Sequence, residues 1–395
     1  MDTTSHTAKP DFSLVSGGLL FRAYQRTHLS GTALELLERR ALVITLFAWL
    51  PLLFLSVLEG YGFGGPIEIP FARDIEAHVR FLIALPLLIG AEVTVHHRVG
   101  SGVRKFVENH IVARADFSKF AAAVTSAQRV RDSFAAELLI LAFVYTLGLW
   151  IWRSHIALGA ATWYAIPQGA HLRLTLAGFW YAYVSIPIFQ FILLRWYLRL
   201  IVWFRFLWQV SRLNLRLSAA HPDLAGGIGF LGKTTYGFSP LLFAQGALLS
   251  GLIASRVLHG GQTLQSFQVE AVGYLLFFLL MILGPLVMFS PQLLRAELEG
   301  RSKYGLLANR YVSEFEEKWL RSDAAEANEL LGTADLQSLA DLTNSYAVVR
   351  SMRLVPFGIN DVIRLAAVTA APLLPLALTI WSPAELLSGF VRLFF

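Results

Sequence analysis

The stretch "AVGYLLFFLLMILGPLVMF", Ala271–Phe289, holds nineteen residues and no charge. A helix needs about 20 apolar residues to cross the hydrocarbon core of a bilayer. A soluble core helix rarely goes this long without a polar face. Six further segments read the same way: Ala41–Leu58, Phe81–Val95, Leu138–Trp152, Leu174–Leu194, Pro240–Leu258 and Leu365–Trp381. The second, third and seventh are short and need their flanks to span. Composition agrees: 55% of the 395 residues are hydrophobic and only 15% charged, against about 25% charged in soluble domains. The fold class expected is all-α, a polytopic transmembrane bundle of six or seven spans with a small helical module outside it.

The loops orient the bundle. Five Lys plus Arg precede the first segment; successive loops carry two, seven, two, six, one (Arg256, at the end of the fifth segment) and nine, and the tail one. Positive charge collects on the cytoplasmic side, so the N-terminus is expected inside, in a bacterial inner membrane. The same alternation accounts for the net charge of +6 and a pI near 9.6 without nucleic acid. Arg39 and Arg40 read as the anchor of the first span, which begins too far in for a secretory signal. There is no Cys, which excludes disulfides and thiolate metal sites. The expected parts are a cytoplasmic amphipathic segment (1–40), a six-span membrane unit (41–289), a helical module (290–360), and a last span with an interfacial helix (361–395).

Between the fourth and fifth segments, Gly227–Thr234 matches the phosphate-loop pattern G-x-x-x-x-G-K-[ST]. Such a loop needs a strand before it and a helix N-terminus after it. Here an arginine-rich helix end precedes it and a span follows, so nucleotide binding is not expected. His221-Pro222-Asp223 opens a turn, and Gly226, Gly227 and Gly229 permit unusual backbone angles. His221, Asp223 and these glycines are expected to pack at the inner ends of the spans, or to gate an inner mouth. "HPDLAGGIGFLG" (221–232), with the ending "VPFGINDVIRLAAVTAAPLLPLALTIWSPAELL" (355–387), resembles a group of uncharacterised bacterial integral membrane proteins. The resemblance covers about the last 180 residues in outline and implies a class, not an activity.

After the fourth segment, Arg195, Arg199, Arg205, Arg212 and Arg216 share a sector about 140° wide at 100° per residue. Aromatic residues lie mostly opposite. The pattern is expected to run along the inner leaflet with its arginines on anionic lipid; a helix packed on a protein partner is the rival. A voltage sensor would need charges inside the field, and the preceding span is long enough without them.

Glu92 interrupts the second segment, with His96 one turn on. An acid in a span faces a cavity or a partner. Glu92 and His96, with Gln190 and Gln245 from other spans, are the candidate proton or ion site; the alternative pairs Glu92 with an inner-rim arginine, Arg98 or Arg195. Arg256, His259 and Glu270 are expected to form a rim network at the other surface. Metal-protease, hydrolase and paired-aspartate patterns are absent, so no catalytic set, metal or cofactor is expected. In the module, Asp323 and Asp335 can open helices. Leu336, Leu339 and Leu342 mark an apolar stripe, and Ser382-Pro383 starts a tail helix. The function expected is a channel or carrier for a small ion or solute; the alternative is a non-transporting membrane scaffold or regulator acting through its cytoplasmic helices. A homo-oligomer fits either.

Overall fold

The computed structural model describes residues 12–15, 17, 37–151, 161–168, 171–320 and 334–377. The Asp323 cap, the tail helix and most of the N-terminal segment lie outside them. Among the described residues, seven helices are long and apolar enough to cross a bilayer: α1 (Leu37–Leu58), α2 (Ile75–Glu108), α3 (Arg114–Ile151), α4 (Leu176–Val210), α5 (Phe230–Gly260), α6 (Leu264–Trp319) and, beyond α7 (Asp335–Arg350), α8 (Ile359–Leu376). The chain is an all-α bundle built for a membrane. Leu42, Phe47, Leu50, Phe54 and Leu58 of α1 are all at least half exposed, an arrangement stable only against lipid. The centre is α2, α4 and α5, whose most apolar windows are 44%, 50% and 61% buried; those of α1 and α3 are 17% and that of α8 is 22%.

The helices outrun their apolar windows, because hydropathy marks only the lipid-facing part. α6 continues for thirty residues past the membrane segment, Ser290–Trp319, about 45 Å at 1.5 Å per residue. α7 packs back along it. α3 breaks at Asp132-Ser133, where the Ser133 hydroxyl caps the second half by accepting from the Ala136 N–H. Its first half, Phe117–Arg131, lies along the end of α4. Among the described residues there is one sheet: Ala165–Gln168 pairs antiparallel with His171–Leu174, Ala165 opposite Leu174, just before α4.

Pro51 lies inside the regular helix α1, but four other prolines sit in or just after locally altered turns. Wide π-turns at Val79–Ala84 and Tyr181–Ser185 directly precede the α-helical segments that carry Pro86 and Pro187 near their starts. Proline clashes with the carbonyl four residues back; a wider turn moves that carbonyl away. Pro285 and Pro372 lie in tight 3₁₀ turns. A third π-turn, Val144–Gly148 in α3, has no proline.

Close backbone approach fixes α8 on α5. A Cβ at Gly246 would lie 2.0 Å from the Thr369 carbonyl oxygen, whereas one at Gly90 would meet nothing within 4 Å. Gly246→Leu should therefore lower the thermal midpoint of the purified protein far more than Gly90→Leu does. Equal effects would mean that α8 is not seated there.

At the end carrying the arginine-rich loops, two connections meet. The Arg216 N–H donates to the Ile111 carbonyl and the Ala113 N–H to the Asn214 carbonyl. This joins the α2–α3 turn to the segment between α4 and α5, and we call this the basic end.

Candidate functional site

Glu92 is buried in α2 near the basic end, and each of its carboxylate oxygens has a guanidinium. Oε1 accepts from Arg199 Nη2 at 2.7 Å, and Oε2 from Arg40 Nη2 of α1. Arg199 also lies over the Trp196 ring, 4.7 Å from its centroid. One turn back on the same face, Arg195 pairs with Glu137 of α3 at 3.1 Å. The five charges are all under 8% exposed. Three guanidinium groups thus face two carboxylates, and they tie α1, α2, α3 and α4 together. Trp196 reinforces the α4–α2 contact by donating Nε1–H to the Leu88 carbonyl at 2.8 Å.

The other members of the expected site do not join Glu92. His96 Nδ1 is 2.8 Å from Ser13 Oγ. The Gln190 amide reaches the Gly148 carbonyl of α3 at 3.5 Å. Gln245, on α5, accepts from Tyr274 at 3.0 Å and Tyr197 at 3.5 Å. These are separate interhelical contacts. Neither Arg98 nor Arg195 is the partner of Glu92; Arg199 and Arg40 are.

The arginine helix divides by depth. Arg205, Arg212 and Arg216 are exposed; Arg205 donates to Ser126 Oγ at 3.0 Å, and Arg212 covers the Trp208 ring at 5.5 Å. Arg195 and Arg199 were expected on lipid headgroups with them, but are buried against protein carboxylates. A helical sector fixes the direction a side chain takes, and α3 and α2 occupy that direction at the depth of these two. Arg40, read as an anchor, and Glu137, unremarked in the sequence, complete the network.

A second polar set lies twelve residues earlier on α2. Arg80 pairs with Glu76 and donates to the Tyr181 hydroxyl of α4. Asp74 caps α2 through the Ala77 N–H and accepts from Trp163 Nε1 at 2.8 Å. Twelve α-helical residues would turn Arg80 about 120° from Glu92. The extra residue of the π-turn reduces that to about 20°, so the two arginine–carboxylate sets share one face of α2.

The glycine loop answers its own phosphate-loop pattern. Asp223 turns its carboxylate back onto the loop: Oδ1 accepts from the N–H of Ala225 at 2.9 Å and of Gly227 at 3.1 Å, and Oδ2 from Gly229 at 2.8 Å. The N–H groups of Gly227 and Gly229, at the head of the pattern, hold an internal carboxylate instead of a phosphate. Partial burial pushes the Asp223 carboxyl up, but the three donors and His221 outweigh it and hold it below the usual range. Gly226 and Gly227 have φ of +66° and +96°, angles that disfavour any side chain. The loop is also fastened from outside, since Arg353 donates its N–H to the Leu224 carbonyl and Nη2 to the Asp223 carbonyl, both at 2.7 Å.

Of the expected rim network, His259 Nδ1 is 3.3 Å from the Ser255 carbonyl one turn back. Among the described residues, no three His, Asp or Glu side chains converge to hold a metal. No family model, curated protein or solved structure matches this chain.

Proposed function

We propose that this chain is a non-transporting scaffold or regulator of a bacterial inner membrane, with its basic end and N-terminus in the cytoplasm and the α6–α7 hairpin offered to a protein partner. The orientation rests on the arginine-rich loops. The observation that carries the reading is the two-sided character of α6. One sector, with Leu293, Glu297, Gly300, Tyr304, Ala308 and Tyr311, is turned inward. The opposite sector, about 120° wide at 100° per residue, holds Leu294, Leu298, Leu306 and Val312, between 39% and 74% exposed, interspersed with Arg295, Ser302, Asn309 and Ser313. Leucines exposed on a helix that projects beyond the membrane have no lipid to cover them; such faces mark interaction sites. Glu92 fits the same reading, since its two oxygens are already engaged.

The test is photo-crosslinking in cells, with a photoreactive residue at Leu298 or Val312 of the full chain. The expected result is a discrete protein adduct at both positions, abolished by Leu298→Glu or Val312→Glu with the fold retained, and none at lipid-facing Leu280. The absence of position-dependent adducts would defeat the reading.

A second reading, a carrier for a small ion, has one specific observation behind it. The π-turn places Arg80 and Glu92 on one face of α2, and π-turns concentrate at functional sites. In proteoliposomes this reading requires an ion flux that Glu92→Gln removes; flux unchanged in the variant would exclude Glu92 from any transport.

A further inference from the structure

Several cations of the basic end are matched by carboxylates. Arg40 and Arg199 meet Glu92, Arg195 meets Glu137, Arg131 meets Asp132, and Arg301 meets Glu297. Others have no carboxylate within salt-bridge distance among the described residues, and of these Arg98, Lys105 and Lys233 stand together. They converge on one cleft of about 240 Å³ between α2 and α5, lined also by His97, Ser101 and Thr234 and by no acidic side chain.

The cleft is built by close packing beneath it. The Thr94 hydroxyl donates to the Gly237 carbonyl at 2.8 Å. A Cβ at Gly102 would lie 2.6 Å from Thr234 Oγ1, and one at Gly237 3.0 Å from Arg98 Cβ. The two helices therefore touch along their backbones, and the long basic side chains are left to rise on either side. Arg98, Ser101 and Lys105 follow at i, i+3 and i+7 on one face of α2, so their heads span about 10 Å along the helix. Lys233 faces them from the first turn of α5, and Phe230 supports the stem of Lys105, its Nζ 5.8 Å from the ring centroid.

We propose that this cleft binds a phosphate group. Clustered cations with no counter-charge, hydroxyls beside them, and a position at the basic membrane surface suit an anion with several acceptor oxygens. The contacts come from side chains, because the loop N–H groups are spent on Asp223 and the Gly232 N–H on the Pro356 carbonyl. Lys233, the lysine of the phosphate-loop pattern, thus serves a phosphate by another geometry. The phosphate belongs either to an anionic phospholipid headgroup or to a soluble ion.

The test uses the purified full chain in non-ionic detergent, titrated calorimetrically with short-chain phosphatidylglycerol, short-chain phosphatidylcholine and inorganic phosphate. The expected result is selective binding of phosphatidylglycerol or of phosphate, weakened at least tenfold in Lys105→Ala/Lys233→Ala and in Arg98→Gln, and unchanged in Arg295→Ala. Phosphatidylglycerol binding that inorganic phosphate does not displace assigns the cleft to lipid. Phosphate binding that displaces the lipid assigns it to the soluble ion. The proposal is overturned if the wild-type chain binds neither, or if variants with wild-type thermal midpoints bind as tightly as the wild type.

Discussion

Glu92→Gln should lower the stability of the bundle by about 3–5 kcal/mol, the cost of removing one partner from a buried ion pair. The carboxylate is the common acceptor for two guanidinium groups from different helices, Arg40 of α1 and Arg199 of α4. A neutral amide leaves both cations in an apolar interior, with Arg195 adding to their repulsion. The loss should appear as a lower thermal midpoint and a reduced monodisperse yield. Its cause is separable: Arg40→Met with Glu92→Leu and Arg199→Met removes all three charges together. Apolar replacements of a whole buried network are often neutral or stabilising, so the triple variant should regain most of what Glu92→Gln loses. A Glu92→Gln protein as stable as the wild type would show that the clasp contributes nothing.

Asp223→Ala should cost about 3 kcal/mol, since it strands three backbone donors in a half-buried loop at about 1–3 kcal/mol each when unsatisfied. The Gly226 and Gly227 backbone angles lose the contact that selects them. Arg353 then holds a loop that no longer holds its own shape, so the α6–α7 hairpin should become more sensitive to protease. Asp223→Asn, with one oxygen left to accept, should fall between. The pH dependence follows from the sign of the shift. A carboxyl held below its ordinary value of 3.8 contributes stability that is fully present above that value and lost as pH falls through the folded-state value. The stability difference between wild type and Asp223→Ala should be constant near neutral pH and shrink only below about pH 4. A difference that already shrinks near pH 6 would contradict the role given to the Asp223 carboxylate.

Much of the fold was legible because a bilayer imposes a length and a charge asymmetry on each span. The seven apolar runs, Ala41–Leu58 to Leu365–Trp381, each correspond, over their described residues, to a helix of suitable length and composition. Glu92 stood out because an acid within such a run needs a partner. Which partner it has was not legible. A helical wheel gives the direction of Arg195 and Arg199, but not the helix that waits there. Arg40 lies fifty-two residues from Glu92 in the chain and had a sufficient explanation as an anchor. The phosphate-loop match misled by letters alone, since the pattern does not record that Asp223 stands close enough to fill the nest itself. The hairpin Ala165–Leu174 was invisible because two four-residue strands carry too little alternation to separate from a loop.

The topology on which both functional readings stand can be measured with single cysteines, since the chain has none of its own. Gln262→Cys lies at the end of α5 away from the arginine-rich loops, and Val312→Cys on the projecting part of α6. In intact cells a membrane-impermeant maleimide should label Gln262→Cys, and should label Val312→Cys only once the inner membrane is opened. Labelling of Val312→Cys in intact cells would place the hairpin outside and contradict a cytoplasmic partner surface.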